Sequence, residues 1–311
     1  MVESVANCKS NPYEVISTED LLARVHECNL MVERKRRGKL EAGEPLTDED
    51  LLVMIGFDAI ALFPSLKSAR TGQIARRQVE KSEITFEGAD YMEMSRYAAL
   101  NREKITGELG TLERLLPRRR KVGWKVPGMQ NPEIKGKEKN TQITWVFPDR
   151  TPTEQEKKKL HGIVIEIVIR TLFDNFVYTF GGENYLQLEG GPIGCRITMA
   201  VSRLVMQDWA VHYRLILERS ALTIWLYGGY VDDGRQGTSL LKKGMRFEEE
   251  SRSLTFSEEA LTEDNQLDEE DEVRMSRVLL PAMNSINPDI QYTTETSSDF
   301  PSKWLPSWTP S

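Results

Sequence analysis

At 311 residues, with a formal net charge of −7 and a sequence pI of about 5.3, the chain is long enough to bury a full core as one large domain or two smaller ones. Cys8, Cys28 and Cys195 have neither metal-ligand spacing nor a disulfide framework, and with only His26, His161 and His212 a zinc site is not expected. No secretory apolar block and no uncharged stretch of membrane-spanning length is visible, so the expectation is an intracellular, non-secreted protein without membrane contact.

Ser17-Thr18-Glu19-Asp20 reads as a capped helix start, and the helix runs towards Cys28 and beyond into Arg34-Lys35-Arg36-Arg37 before Gly43 to Pro45 break it. Val53-Met54-Ile55-Gly56-Phe57-Asp58 is an apolar run ending in an acid, which predicts a buried strand with a carboxylate near its end; Pro64 and Ser65 close the segment. Residues 67–150 are rich in Arg, Lys, Gly and Pro and are expected to form a long insertion, helical around Tyr91 to Leu116 and irregular from Pro117 to Arg150. His161 to Phe180 is the most apolar stretch; Glu166, Arg170 and Asp174 interrupt it, so it reads as a buried helix.

Tyr185 to Cys195 contains Gly190-Gly191-Pro192 and Gly194 and leads into a helical pattern from Ile197 to Glu218, whose Met199, Leu204, Trp209 and Leu215 are expected to pack the core. The apolar run Leu222 to Tyr227, followed by Tyr230-Val231-Asp232-Asp233 and the glycine-bearing Gly234 to Gly237, predicts two acids at a hairpin turn. Glu248 to Glu272 is an acidic block expected to be a disordered or exposed loop, and residues 301–311 form a Pro-, Ser- and Trp-rich tail. No internal repeat is visible.

Adjacent aspartates after a buried strand need a cation or water, because an unpaired buried charge is strongly disfavoured. Singly, each motif has a plainer explanation: a solvated turn for Asp232-Asp233, a helix N-cap or strand-end acid for Asp58, an ordinary loop for Gly190-Gly191-Pro192. Jointly they point to metal chemistry. Carboxylates from two strands, with a third beside one of them, can hold two hard divalent ions, since Mg²⁺ takes oxygen ligands and completes its octahedron with phosphate and water. Two such ions about 3.5–4 Å apart activate an attacking hydroxyl and stabilise a departing pyrophosphate. Glycines before a helix let a nucleotide or nucleic-acid strand approach the backbone, with Gln187 as a polar contact.

In this order the three motifs resemble the palm of a reverse transcriptase: Asp58 to Ser65 is similar to the first catalytic motif, Gln187 to Gly194 to the second, and Tyr230 to Asp233 to the Tyr-x-Asp-Asp box. The style is closest to Penelope-like and other non-LTR retroelement enzymes, and Ile290 to Pro306 resembles the segment these enzymes carry after the palm. The resemblance implies an α/β (α+β) fold, a right-hand polymerase palm whose antiparallel sheet is backed by the His161–Phe180 and Ile197–Glu218 helices, with incomplete fingers and no evident thumb. Residues 1–47 would be an N-terminal helical segment, a fingers remnant, and residues 48–300 the palm, with the insertion 67–150 and the acidic loop 248–272. Asp58, Asp232 and Asp233 would be the catalytic acids and metal ligands for two Mg²⁺ ions, with Mn²⁺ as an alternative. Phe63 would sit under the sugar of the incoming nucleotide, where a 2′-hydroxyl collides with its ring; simple core packing is its other reading. Gln187 and Gly190 would lie near the template and the incoming base, and Tyr230 near the primer end. Lys242 and Lys243 stand in the region of the lysine that protonates pyrophosphate, without its pattern.

The implied partners are an RNA template, a DNA primer and dNTPs, and the implied activity is RNA-directed DNA polymerisation; a catalytically inactive nucleic-acid-binding remnant of a retroelement is the alternative. The negative net charge does not oppose this. From Glu248 to Glu272 there are twelve acids and one arginine, so that block carries −11 and the rest of the chain +4. Basic runs at 34–37, 118–121, 135–139 and 157–159 stand apart from it and are able to neutralise phosphates.

Overall fold

The computed structural model describes residues 14–15, 17–105, 112–123, 141–220, 222–267 and 269–295. Cys8, the basic run 135–139 and the tail 301–311 lie outside the described residues.

Helix α1 (Thr18–Glu41) starts where the capping sequence predicts: the Ser17 side chain accepts the Asp20 N–H at 3.2 Å. After a single turn at Asp48–Asp50, strand β1 (Leu52–Ile60) is succeeded by the short helix α2 (Leu62–Ser65) and helix α3 (Ser68–Lys81). Helix α4 (Gly88–Leu100), the two-stranded ribbon of β2 (Arg118–Gly123) and β3 (Thr141–Val146), and helix α5 (Glu154–Asp174) come next. A small hairpin, β4 (Val177–Phe180) with β5 (Glu183–Leu186), leads to helix α6 (Arg196–Arg219) and the hairpin of β6 (Ile224–Tyr230) and β7 (Asp233–Ser239). The hairpin β8 (Met245–Glu248) and β9 (Ser253–Phe256), helix α7 (Glu258–Gln266), helix α8 (Asp271–Ile286) and strand β10 (Gln291–Glu295) complete the described chain.

The main sheet has the order β10-β1-β7-β6, and every neighbouring pair is antiparallel. β1 and β6 are therefore parallel to each other with β7 between them, and α6 supplies the crossover a parallel connection needs. The second crossover is α8, between β7 and β10. This is a split βαβ arrangement of four strands and two principal helices, a mixed α/β fold with an antiparallel sheet backed by helices.

Alternation along β1 sends Val53, Ile55, Phe57 and Ala59 into the main core. Phe57 lies 5.4 Å from Trp209 of α6 and 6.0 Å from Tyr227 of β6, and Trp209 stacks on Tyr292 of β10 at 4.4 Å. Trp209 Nε1 donates to the Met283 carbonyl at 3.1 Å, locking α6 to α8. Among the described residues, the opposite face of the sheet is covered at one end only. There α1 lays Cys28 and Val32 against Leu226, with Leu52, Met54 and Trp225 around them. Buried Asp50 anchors that end of α1 by taking Lys39 at 2.6 Å and Lys35 at 3.2 Å.

Three expectations change. The apolar segment His161–Phe180 is helical only as far as Asp174, its last residues forming β4; it lies chiefly against α3, and the sheet is backed by α6 and α8. The insertion 67–150 is helical in part where expected, at α4, and begins with a further amphipathic helix, α3, in which Thr71, Ile74, Ala75 and Val79 are buried; Pro117–Arg150, expected as irregular, contains the ribbon. The acidic loop 248–272 contains a strand and a helix, because Asp264 is buried and neutralised by Arg246 at 2.7 Å and Arg277 at 2.9 Å while accepting the Gly244 N–H at 2.7 Å. Its negative charge is a set of ion pairs as well as a solvated face.

Candidate metal centre

Asp58 on β1 is the direct cross-strand partner of Asp233 on β7. Partners in a ladder project from the same side of a sheet, and since Phe57 and Ala59 point into the core, that side is the open one. Asp232 occupies the turn between the paired residues Tyr230 and Asp233, and its carbonyl accepts the Ala59 N–H at 3.1 Å. One backbone hydrogen bond thus fastens the hairpin tip to the strand that carries Asp58. The structure brings Asp58 beside the consecutive acids Asp232 and Asp233 from a distant part of the chain.

The tip is strained. Val231 has φ 55, a region costly for a β-branched residue, by about 1–3 kcal/mol. Only the first of the two central residues has positive φ, the pattern of a type II′ turn, where glycine is usual. Val231 is held there because its side chain packs against the main core.

Electrostatics at the site follow from this crowding. Partial burial, then the charges of Asp233, Asp232 and Glu295, raise the pKa of Asp58 above the ordinary carboxylate value. Burial and then Asp232 raise that of Asp233, with Arg235 pulling the other way. Among the described residues none of the three carboxylates forms an ion pair, and no group of three or more His, Cys, Asp or Glu stands at metal-binding spacing. Asp58 and Asp233 are hard oxygen donors on one open face, and Asp232 in the turn is close enough for its charge to repel both. That donor chemistry fits Mg²⁺ or Mn²⁺, whose charge would relieve the repulsion.

The other predicted residues divide into two groups. Tyr230 is 58% exposed at the end of β6 and lines a groove of about 550 Å³ together with Ser17, Leu21, Gly228, Asp233 and Arg235. Phe63, half-buried, packs partly against the main core just beyond the left-handed turn at Ala61, φ 49. Gly190 joins the second motif to the first. With φ 86, its missing side chain would lie 2.7 Å from Pro64 Cα and 3.0 Å from the Phe63 carbonyl oxygen, and the adjacent Gly191 N–H donates to that oxygen at 2.7 Å. Gln187 is held locally instead: its side-chain amide donates to the Glu189 carbonyl at 2.9 Å, and its backbone N–H to the Phe176 carbonyl.

Two residues of the open face were not anticipated. Arg235 crosses over Gly56 to reach Glu295 on β10 at 3.4 Å; a Cβ on Gly56 would lie 2.1 Å from its Nη1. Both charges act on the acids. A glycine in an otherwise apolar strand was the available signal, and it becomes informative only once the register places Gly56 opposite Arg235 and Glu295.

Fold and site together define a class: a split-βαβ protein that presents three carboxylates at a strained hairpin on the uncovered half of its sheet. No protein-family model and no curated protein matches the chain.

Proposed function

We propose that this chain is a reverse-transcriptase-like polymerase palm that extends a DNA primer on an RNA template by metal-dependent nucleotidyl transfer. The observation that carries the reading is the direct pairing of Asp58 with Asp233, beside a turn whose Asp232 carbonyl is bonded to Ala59. Asp58, Asp232 and Asp233 would hold the divalent ions, which when bound supply Lewis-acid stabilisation to the attacking 3′-hydroxyl and the leaving pyrophosphate.

The chain's own residues supply position. The rigid aromatic layer beneath Phe57 fixes Asp58, and the Ala59 hydrogen bond fixes the hairpin. Docking of Gly190 on Phe63 and Pro64 sets the floor of the nucleotide site, where the Phe63 ring would exclude a 2′-hydroxyl. Exposed Tyr230 offers an aromatic face to the primer end.

Single-nucleotide addition to a DNA primer annealed on RNA, with Mg²⁺ or Mn²⁺, tests the proposal. Addition by the wild-type chain that Asp232→Ala abolishes is the expected result, with Phe63→Ala gaining the use of ribonucleotides. No addition by the wild-type chain under conditions where it binds the primer–template would refute catalysis and leave the nucleic-acid-binding remnant.

A further inference from the structure

We infer that the β2–β3 ribbon is a DNA-binding arm, a second nucleic-acid surface separate from the acidic hairpin. Its occupant would be the phosphate backbone and major groove of a B-form duplex. The ribbon is a two-stranded sheet of its own, in which Arg118, Arg119 and Arg120 pair with Val146, Trp145 and Thr144. An ordinary solvated ribbon sets carboxylates opposite its arginines, since opposite charges across a ladder attract and like charges repel. Here the partners are uncharged, all three arginines are exposed, and none has a carboxylate partner among the described residues. The one favourable contact is the Arg119 guanidinium over the Trp145 ring at 5.2 Å.

Geometry selects the partner. Residues two apart on a strand share a face and stand about 7 Å apart, so Arg118 and Arg120 form a cationic row flanked only by Thr144 and Val146. A two-stranded ribbon fits the roughly 12 Å major groove of B-DNA, where small side chains meet thymine methyl groups and arginines meet guanine edges or phosphates. The deep, narrow major groove of A-form RNA does not admit it. The root of the arm is fixed: Leu115 and Leu116, just before it, belong to the second buried cluster, and the Tyr91 hydroxyl donates to the Leu115 carbonyl at 3.0 Å. On the far side Arg96 lies over Phe147 at 5.3 Å, and Arg150 pairs with Glu156 at the start of α5. Unneutralised arginines on a strand whose root is anchored are held in place for a polyanion.

The inference extends the nucleic-acid partner of the proposed function to a new surface and requires neither metal nor the acids. Fluorescence anisotropy of a labelled DNA duplex, titrated with the full chain in EDTA over a series of salt concentrations, tests it. Replacing the three arginines by Gln (R118Q, R119Q and R120Q together) should lower the slope of log affinity against log salt by about 1.8, at about 0.9 for each arginine of the row, and weaken binding about 50-fold at ~0.1 M salt. The three Lys replacements should keep most of the slope, and because EDTA removes any divalent ion the readout does not depend on whether a variant polymerises. Should the triple Gln chain fail to fold, the single Arg118→Gln and Arg120→Gln variants should each remove about 0.9 from the slope. Wild-type affinity and slope in the Gln variants would overturn the inference. So would tighter arginine-dependent binding of single-stranded DNA, double-stranded RNA or poly-glutamate than of duplex DNA, since each names a different partner.

Discussion

Replacing Gly190 by Ala tests whether the two glycine-bearing and acid-bearing motifs are physically coupled, and Gly194→Ala provides the matched control. Both glycines are left-handed, φ 86 and φ 85, but a Cβ on Gly194 meets nothing within 4 Å whereas one on Gly190 meets Pro64 Cα at 2.7 Å and the Pro64 oxygen at 2.8 Å. A left-handed alanine costs about 1–2 kcal/mol, and the stiffer unfolded chain returns about 0.4–1, so Gly194→Ala should lose about 1 kcal/mol. Gly190→Ala carries the same loss and more. Its neighbours are backbone atoms that must retreat by about 0.7 Å to reach the 3.4 Å of an ordinary contact. That retreat adds overpacking strain of about 1–3 kcal/mol and loosens the 2.7 Å bond from Gly191 to Phe63, worth about 1 kcal/mol. The total is about 3–4 kcal/mol. At roughly 2 °C per kcal/mol for a chain of this size, thermal melts followed by circular dichroism should fall by about 2 °C for Gly194→Ala and about 7 °C for Gly190→Ala. Hydrogen exchange should speed up selectively at the Gly191 amide in Gly190→Ala. Equal melting shifts in the two variants would refute the claim that Gly190 is required by contact with the first motif.

Asp264→Asn should destabilise the chain by about 3 kcal/mol, the lower end of the range for a broken buried pair because Arg246 and Arg277 keep part of their surface in water; urea titration measures it. Because its arginine partners hold the pKa of Asp264 well below the usual carboxylate range, this contribution is complete above about pH 4 and disappears as pH falls through the depressed folded value. Asp58 and Asp233 have the opposite sign: their raised folded pKa values mean that the folded state binds protons more readily than the unfolded chain, so their cost grows as pH rises from about 4 through those values. Asp58→Asn and Asp233→Asn should therefore raise the melting temperature in EDTA at neutral pH while losing the Mg²⁺-induced shift, which for a wild-type site at ~100-fold excess over Kd is about 2.7 kcal/mol; a variant that keeps the full shift would remove that residue from the metal site. Val231→Gly should leave overall stability within about 1 kcal/mol, because relief of the strain at φ 55 offsets the lost packing, yet it should loosen the tip and reduce nucleotide addition about tenfold or more; unchanged addition would show that the valine only fills space.

The acids were legible in the sequence because their signals are local: an apolar strand with a carboxylate near its end, and a two-residue turn between apolar and glycine-bearing runs. Their meeting was expected only through the joint pattern, since the register that pairs Asp58 with Asp233 depends on β7 lying between β1 and β6, which no local signal specifies. Charge averaging hid other elements. Met275, Val278, Leu279, Ala282 and Met283 have the spacing of a helix face and back the sheet, but they follow directly on the acidic block that ends at Glu272, which drew the reading away from them. Among the described residues of that block Asp264 is the one buried acid, and distant Arg246 and Arg277 distinguish it from its neighbours. The β2–β3 ribbon was missed for a related reason. Consecutive arginines carry little strand propensity, and the strand exists through pairing with Thr144, Trp145 and Val146.

Sheet and site make opposing demands that the layering separates. The open face gathers like charges beside a strained hairpin tip, each a local destabilisation of a few kcal/mol at most. The closed face of the same strands carries Phe57, Tyr227 and Tyr292 against Trp209 and Tyr213, all buried, and large aromatic side chains contribute about 1.5–3 kcal/mol each on burial. Asp58 is adjacent in sequence to Phe57, and Asp233 is adjacent to Gly234, whose missing side chain makes room for the Phe57 ring. The strongest packing in the sheet therefore lies directly behind the least comfortable charges. Such an arrangement resists the easiest escape from repulsion, which would be for the two strands to slide by one residue, because a one-residue slip would expose the aromatic face and bury the acids. The hairpin cannot relax sideways either while Asp232 remains bonded to Ala59. With register and turn both fixed, Arg235 relieves part of the repulsion at Asp233, and the remainder is what the proposed hard cation would relieve.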